Sequence, residues 1–205
     1  EIWVMDFPSG KERQLSHAGC DLADISWSPD GRWLACNANR QGALDLVLVN
    51  SSDGSLIDLH QGKGIHSQLE WMPDGQELVF DYASAVQPPE FYLARIDPKK
   101  PQKIDEKNIK CISNFAPLAL KDLSMITPEV VEFKSPDGLL VHGMLYQPAH
   151  PNHAGIVHVH GGPRGQALYD WDIFQQYLIA KGYTVLDVNY RGSTGYGYDF
   201  EMLNQ

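Results

Sequence analysis

The 205-residue chain is 43% hydrophobic and 20% charged, ordinary values for a polypeptide that buries a core and too apolar for a disordered one. Sixteen Lys and Arg against 26 Asp and Glu leave a formal charge of -10, so a nucleic acid or an anionic membrane would meet a repelling surface, and neither is an expected partner. The length falls between one and two ordinary domains, which predicts two compact units. No apolar run reaches the roughly 18 residues that cross a bilayer. The start, Glu1-Ile2-Trp3-Val4, has neither a basic leader nor an initiator Met and reads as cut; the cytoplasm is the working expectation for compartment. Cys20, Cys36 and Cys111 are odd in number, fit no zinc spacing and are expected to be buried free thiols.

A repeat organises the first half. Ile25-Ser26-Trp27-Ser28-Pro29-Asp30-Gly31-Arg32-Trp33-Leu34-Ala35 is answered 44 positions on by Leu69-Glu70-Trp71-Met72-Pro73-Asp74-Gly75-Gln76-Glu77-Leu78-Val79, within the roughly 40–45 residue period of four-stranded propeller blades. Each copy predicts a strand, a Pro-Asp-Gly turn and a second strand. Residues 43–50 predict a further strand, and residues 1–6 and 90–97 take equivalent places one blade earlier and later. Trp27, Trp33 and Trp71 are expected to pack in the core. Asp21, Asp24, Asp45 and Asp53 are expected to bond backbone at turns and strand ends. About two blades cannot close a ring, so missing blades are expected upstream of residues 1–107.

Residues 108–127 read as a linker, and the lysines at 99, 100, 103, 107 and 110 as a solubilising turn. From residue 128 to 205 the period changes. Val130–Lys134, a Ser135-Pro136-Asp137-Gly138 turn and Leu139–Pro148 predict a hairpin. Ala154–Val159 then predicts a short apolar strand running into His160-Gly161-Gly162-Pro163. Trp171, Phe174, Tyr177, Leu178 and Ile179 recur at helical spacing, closed by Lys181 and Gly182, and Tyr183–Tyr190 predicts a second buried strand. Strand, helix and strand in this order form a parallel βαβ crossover.

Chemistry enters at the glycines that end the first strand of this crossover. The carboxyl end of a parallel strand opens onto a ligand crevice, and glycines there bring backbone N–H groups close to a substrate. Such fixed donors can stabilise the oxyanion of acyl transfer, although a tight strand-to-loop turn would explain the same glycines.

Together, the Trp-Ser-Pro-Asp-Gly hairpins, Phe133–Gly138, His160-Gly161-Gly162-Pro163 and Asn189-Tyr190-Arg191-Gly192-Ser193-Thr194-Gly195-Tyr196-Gly197 resemble the prolyl oligopeptidase family of serine peptidases, in its acylaminoacyl-peptidase branch. The resemblance implies a mixed fold: a partial β-propeller of about two blades, then the N-terminal part of an α/β-hydrolase domain. It also implies hydrolysis of short or N-acylated peptides entering between the two. By position, Gly161 and Gly162 match the oxyanion loop of that family, with the Gly162 N–H as the principal donor. His160 matches a position where the dipeptidyl-peptidase branch carries a Tyr, and its role stays open.

The Gly-x-Ser-x-Gly elbow of the family nucleophile does not occur in the sequence. Ser193 directly follows Gly192 and reads as a loop residue. With the order Ser, acid, His usual in such hydrolases, the triad would lie beyond Gln205, and this stretch alone is expected to be inactive. The implied partner is a peptide substrate, and no cofactor is expected. Two rivals are a non-catalytic propeller peptide-binding module or relic, and a metallohydrolase. The latter would use His158 and His160, two apart on a strand, with His150, His153 and Asp187 nearby.

Overall fold

The computed structural model describes residues 1–16, 19–118, 120, 123–162 and 164–204. They form two compact units, one of residues 1–62, 66–82 and 90–114, the other of residues 63–65, 83–89 and 115–205.

Among the described residues ten strands precede residue 112. A hairpin of β1 (Trp3–Met5) and β2 (Glu12–Gln14) comes first. An eight-stranded sheet follows, from β3 (Leu22–Trp27), β4 (Trp33–Arg40), β5 (Ala43–Asn50), β6 (Leu56–His60), β7 (Ile65–Trp71), β8 (Glu77–Ser84), β9 (Gln87–Arg95) and β10 (Ile109–Cys111). Its order is β10-β9-β8-β7-β5-β4-β3, with β6 also paired to β5. The two sequence copies fold alike: Gly31 N donates to Ser28 O at 2.8 Å and Gly75 N to Met72 O at 2.9 Å. Both glycines have positive φ, +71° and +67°, where a side chain would be strained, so the Pro-Asp-Gly turns depend on them.

Side-chain alternation places β4 and β5 between two apolar clusters. Trp33, Ala35, Leu46 and Leu48 join Leu59, Leu69, Trp71, Leu78 and Phe80 on one side. Leu34, Cys36, Ala38, Val47 and Val49 join Ile2, Leu15 and Leu22 on the other. The buried Trp33 and Trp71 indoles donate to Pro98 O at 3.0 Å and Ser26 O at 3.3 Å. Trp27 departs from expectation and is 48% exposed, because β3 is the last strand in the sheet order and has a neighbour on one side only. Of the cysteines, Cys36 is buried as expected, Cys20 is partly exposed and Cys111 is exposed at the end of the edge strand β10. That strand lies within the stretch read as linker and pairs with β9. Asp53 bonds the Ser55 N–H as expected. Asp45, buried inside β5, likewise accepts from a backbone N–H, that of Gly62 at 3.3 Å, and also pairs with Arg40 at 3.1 Å.

The second unit carries β11 (Glu129–Lys134), β12 (Leu140–Tyr146), β13 (Gly155–Val159), β14 (Thr184–Asn189), α1 (Ile173–Ala180) and the short α2 (Tyr198–Glu201). The sheet order is β11-β12-β14-β13. The β11–β12 hairpin closes through the Gly138 N to Ser135 O bond, 2.8 Å, and β13 runs parallel to β14. The predicted crossover therefore forms, with α1 between its strands. Asp172 caps α1 by accepting from Phe174 N and Gln175 N.

Burial in the crossover differs from the sequence pattern. Phe174 and Tyr177 of α1 are 64% and 55% exposed, while Gln175 and Gln176 are buried beside Ile179. The glutamines tolerate burial because their amides are satisfied. Gln176 Nε2 donates to Ala85 O at 2.7 Å and Ile126 O at 2.9 Å, its Oε1 accepts from Ile126 N at 3.0 Å, and Gln175 Nε2 donates to Asp187. Val157 and Val159 of β13 are also exposed, since β13 ends the sheet order. Among the described residues no helix is long and apolar enough to cross a membrane.

Candidate active site

The sharp exit of β13 leads into His160, Gly161 and Gly162, all within the second unit; Pro163, the last residue of the motif, lies outside the described residues. Gly162 has φ +146°, and a Cβ there would stand 2.8 Å from Arg164 N. Any larger residue would be strained at this position and would also collide with backbone. Gly165 is constrained differently: a Cβ would come 2.8 Å from Gly161 O and 3.1 Å from His160 Nδ1. Glycine at 165 is what lets the chain double back under the loop.

Gly161 and Gly162 are exposed. Among the described residues neither of their N–H groups donates a hydrogen bond. Two unspent backbone donors thus follow the carboxyl end of a parallel strand, the arrangement that anion or oxyanion recognition requires.

His160 is held on three sides. Its Nδ1 lies 2.8 Å from Gly161 O, its Nε2 lies 2.9 Å from Ser193 Oγ, and its ring stacks on Tyr190 with centroids 4.5 Å apart and planes 17° from parallel. The Tyr190 hydroxyl donates to His160 O at 3.0 Å. Thr194 N donates to Gly165 O at 2.9 Å. At the base of the loop, Asn189 is fully buried and brackets Ala167, accepting from its N–H at 2.6 Å and donating to its carbonyl at 3.2 Å. The segment after β14 is therefore the clamp on the glycine loop.

Ser193 is a loop residue, as its spacing predicts, but a wholly buried one in contact with His160. Sequence reasoning did not find that contact. Two parallel strands must lie side by side before residues 160 and 193 meet, and neither motif alone signals the other.

His158 does not converge with His160 on a common point. Its Nδ1 pairs with Asp187 Oδ1 at 2.8 Å, while the other Asp187 oxygen accepts from Gln175. Each imidazole is thus tied to a protein partner of its own. Among the described residues no group of three or more His, Cys, Asp and Glu is arranged to hold a metal.

A cavity of about 420 Å³ lies elsewhere in this unit, walled by Met125, Ile126, Ile173, Tyr177, Ile179 and Ala180 among others. It is apolar apart from a few groups and does not include the glycine loop.

No protein-family model matches the chain. Its curated relatives include an uncharacterized peptidase of Bacillus subtilis, 26% identical over 180 residues that make up 85% of this chain and 26% of the relative. The acylamino-acid-releasing enzyme of Sus scrofa is 26% identical over 186 residues, 88% of this chain and 25% of the enzyme. Among solved structures, the acylaminoacyl peptidase of Pyrococcus horikoshii superposes on 94% of this chain and 28% of its own, with a TM-score of 0.74 and 25% identity. The chain spans about a quarter of the length of the curated relatives it matches.

Proposed function

We infer that the full-length protein is a serine peptidase of the prolyl oligopeptidase type, acting on short or N-acylated peptides. The observation that carries this reading is the pair of unspent N–H groups at Gly161 and Gly162 after β13. In this reading residues 1–107 are propeller blades, and residues 128–205 open an α/β-hydrolase sheet. The β11-β12-β14-β13 order and the exposed Val157 and Val159 on its last strand support it, since β13 has a free edge for further strands.

The chemistry follows from charge. Attack of a serine hydroxyl on a peptide carbonyl turns the carbonyl oxygen into an oxyanion, with a histidine accepting the hydroxyl proton and later passing it to the leaving amine. Donors already fixed in place stabilise that oxygen without reorganising, and removing one costs about 10²–10³ in rate. Gly162 supplies such a donor, and Gly161 lends a second if its N–H turns to the same oxygen. The nucleophile, acid and base belong to a segment outside the 205 residues, which contain no Gly-x-Ser-x-Gly.

The test is hydrolysis of an N-acetylated amino-acid anilide by the full-length protein, combined with a fluorophosphonate probe. Hydrolysis that the probe abolishes, with the label on a residue beyond position 205, is the expected result. Labelling of the 205-residue stretch itself, or an unreactive full-length protein, contradicts the reading.

A further inference from the structure

The most basic stretch of this acidic chain is residues 95–110, where Arg95, Lys99, Lys100, Lys103, Lys107 and Lys110 stand against Asp97, Asp105 and Glu106. Six of the 16 Lys and Arg fall here, giving the stretch a charge of +3 within a chain of -10. A turn that serves only solubility can move in water, but this one is fixed. Ile96 and Ile104 are buried in the first unit's larger apolar cluster. Ile96 N donates to Gln76 O and Ile104 N to Leu59 O, both at 2.8 Å, and Pro98 O accepts the Trp33 indole N–H. Lys99, Lys100 and Lys103 are exposed between those anchors, so their main chain is already ordered before any ligand arrives.

The carboxylates of this surface are spent on near neighbours. Asp30 pairs with Arg32 at 2.6 Å, Asp74 Oδ1 accepts from Gln76 N at 3.0 Å, Asp97 Oδ1 accepts from Lys99 N at 2.9 Å, and Asp105 pairs with Lys107 at 2.7 Å. The side chains of Arg95, Lys99, Lys100 and Lys103 make no ion pair or hydrogen bond among the described residues. Two clefts, of about 790 and 450 Å³, share Arg95, Ile96 and Asp97 as a common wall. Lys99 lines the first cleft, and Lys100 and Lys103 line the second. The unpaired cations therefore border open space on both sides of one anchored segment, which is what an anionic ligand requires. The first cleft is also lined by Asp30, Asp74 and Asp97, which would repel a nucleic-acid backbone charged at every residue. A peptide instead spaces its carboxylates apart, and its N–H groups can meet the acidic side chains between them.

We propose that residues 95–104, with the two clefts they separate, form a docking surface for an extended acidic peptide segment, whose carboxylates pair with Arg95, Lys99, Lys100 and Lys103. The proposal is independent of the peptidase reading, because every residue it uses lies in the first unit and none belongs to the glycine loop.

The experiment measures the fluorescence anisotropy of a labelled (Glu-Ala)5 peptide with the full-length protein, pretreated with a fluorophosphonate so that hydrolysis cannot consume the probe. A labelled (Gln-Ala)5 peptide and an oligouridylate of the same length are the comparison probes. The Glu peptide is expected to bind more tightly than either, with an affinity that falls several-fold between 50 and 200 mM salt. K99E/K100E/K103E is expected to weaken it about 10-fold or more, and R95Q alone about 3-fold. If the triple Glu variant does not fold, K99Q/K100Q/K103Q is read in the same way. A Gln peptide that binds as tightly as the Glu peptide, or a folded triple variant that keeps the parent affinity, overturns the proposal. Oligouridylate that binds more tightly than the Glu peptide and is lost in the same variant also overturns it, and assigns the surface to a nucleic acid.

Discussion

Strands β5 and β13 are both apolar, yet in the first unit Leu46, Val47, Leu48 and Val49 are each 0% exposed, while in the second Val157 and Val159 are 65% and 57% exposed. The difference is one of neighbours. β5 lies inside its sheet and has an apolar cluster on each face, whereas β13 ends its sheet order. Burial is thus a property of a strand's position, and the same residue types serve as core in one place and as open surface in the other. The glycine loop follows the less covered strand, in keeping with the placement of binding groups where backbone donors are still unspent.

The sharpest way to break this comparison is to delete side chains in both sheets and measure denaturant unfolding. Phe80→Ala removes a ring that is 1% exposed in the first unit and is expected to cost about 3–5 kcal/mol. A loss below about 1 kcal/mol would mean that this core is not closed.

A second test uses acid. Burial lowers the His66 pKa to about 4; the neighbouring His60 adds to this, and the bond to Leu44 O opposes it. An unfolded chain, with its histidine near 6.5, takes up a proton that the native state refuses. Stability is therefore full above about pH 6.5 and falls as the pH drops toward 4, by about 3 kcal/mol. His66→Asn should flatten that pH window, and an unchanged slope would contradict the assignment.

Smaller effects sharpen the contrast in the second unit. Asp172→Ala removes the two bonds that cap α1 and is expected to cost about 1 kcal/mol, read as a shift in unfolding midpoint. Val157→Thr alters a side chain that is exposed in the 205 residues and should stay within about 0.5 kcal/mol in that stretch; in the full-length protein, where further strands are proposed to follow β13, a larger loss is expected.

The elements legible in the sequence were those with local causes. The duplicated Pro-Asp-Gly turns specify both hairpins through the positive φ of Gly31 and Gly75, and Gly182, also at positive φ, closes α1 as its sequence position predicts. What escaped depends on partners distant in the chain. Phe174 and Tyr177 have helical spacing but face outward, because the glutamines find carbonyl and carboxylate partners inside. Trp27 belongs to a Trp pattern whose other members are buried and stays half-exposed because β3 has one neighbour. At the candidate site Gly161 and Gly162 stood out by composition, since few residues fit such a turn. The contact of Ser193 with His160 depends on a 33-residue separation closed by parallel pairing, which no local pattern records.

One measurement bears most directly on the claim that the Gly162 N–H stabilises an oxyanion: kcat and KM for an N-acetylated anilide, for the full-length protein and its Gly162→Ala variant, both verified as folded. The alanine strains a residue at φ +146° and meets Arg164 N, so the N–H loses its aim. A fall in kcat of about 100-fold or more, with KM within a few-fold, is the predicted outcome. A folded variant that hydrolyses the anilide at the parent rate would contradict the claim.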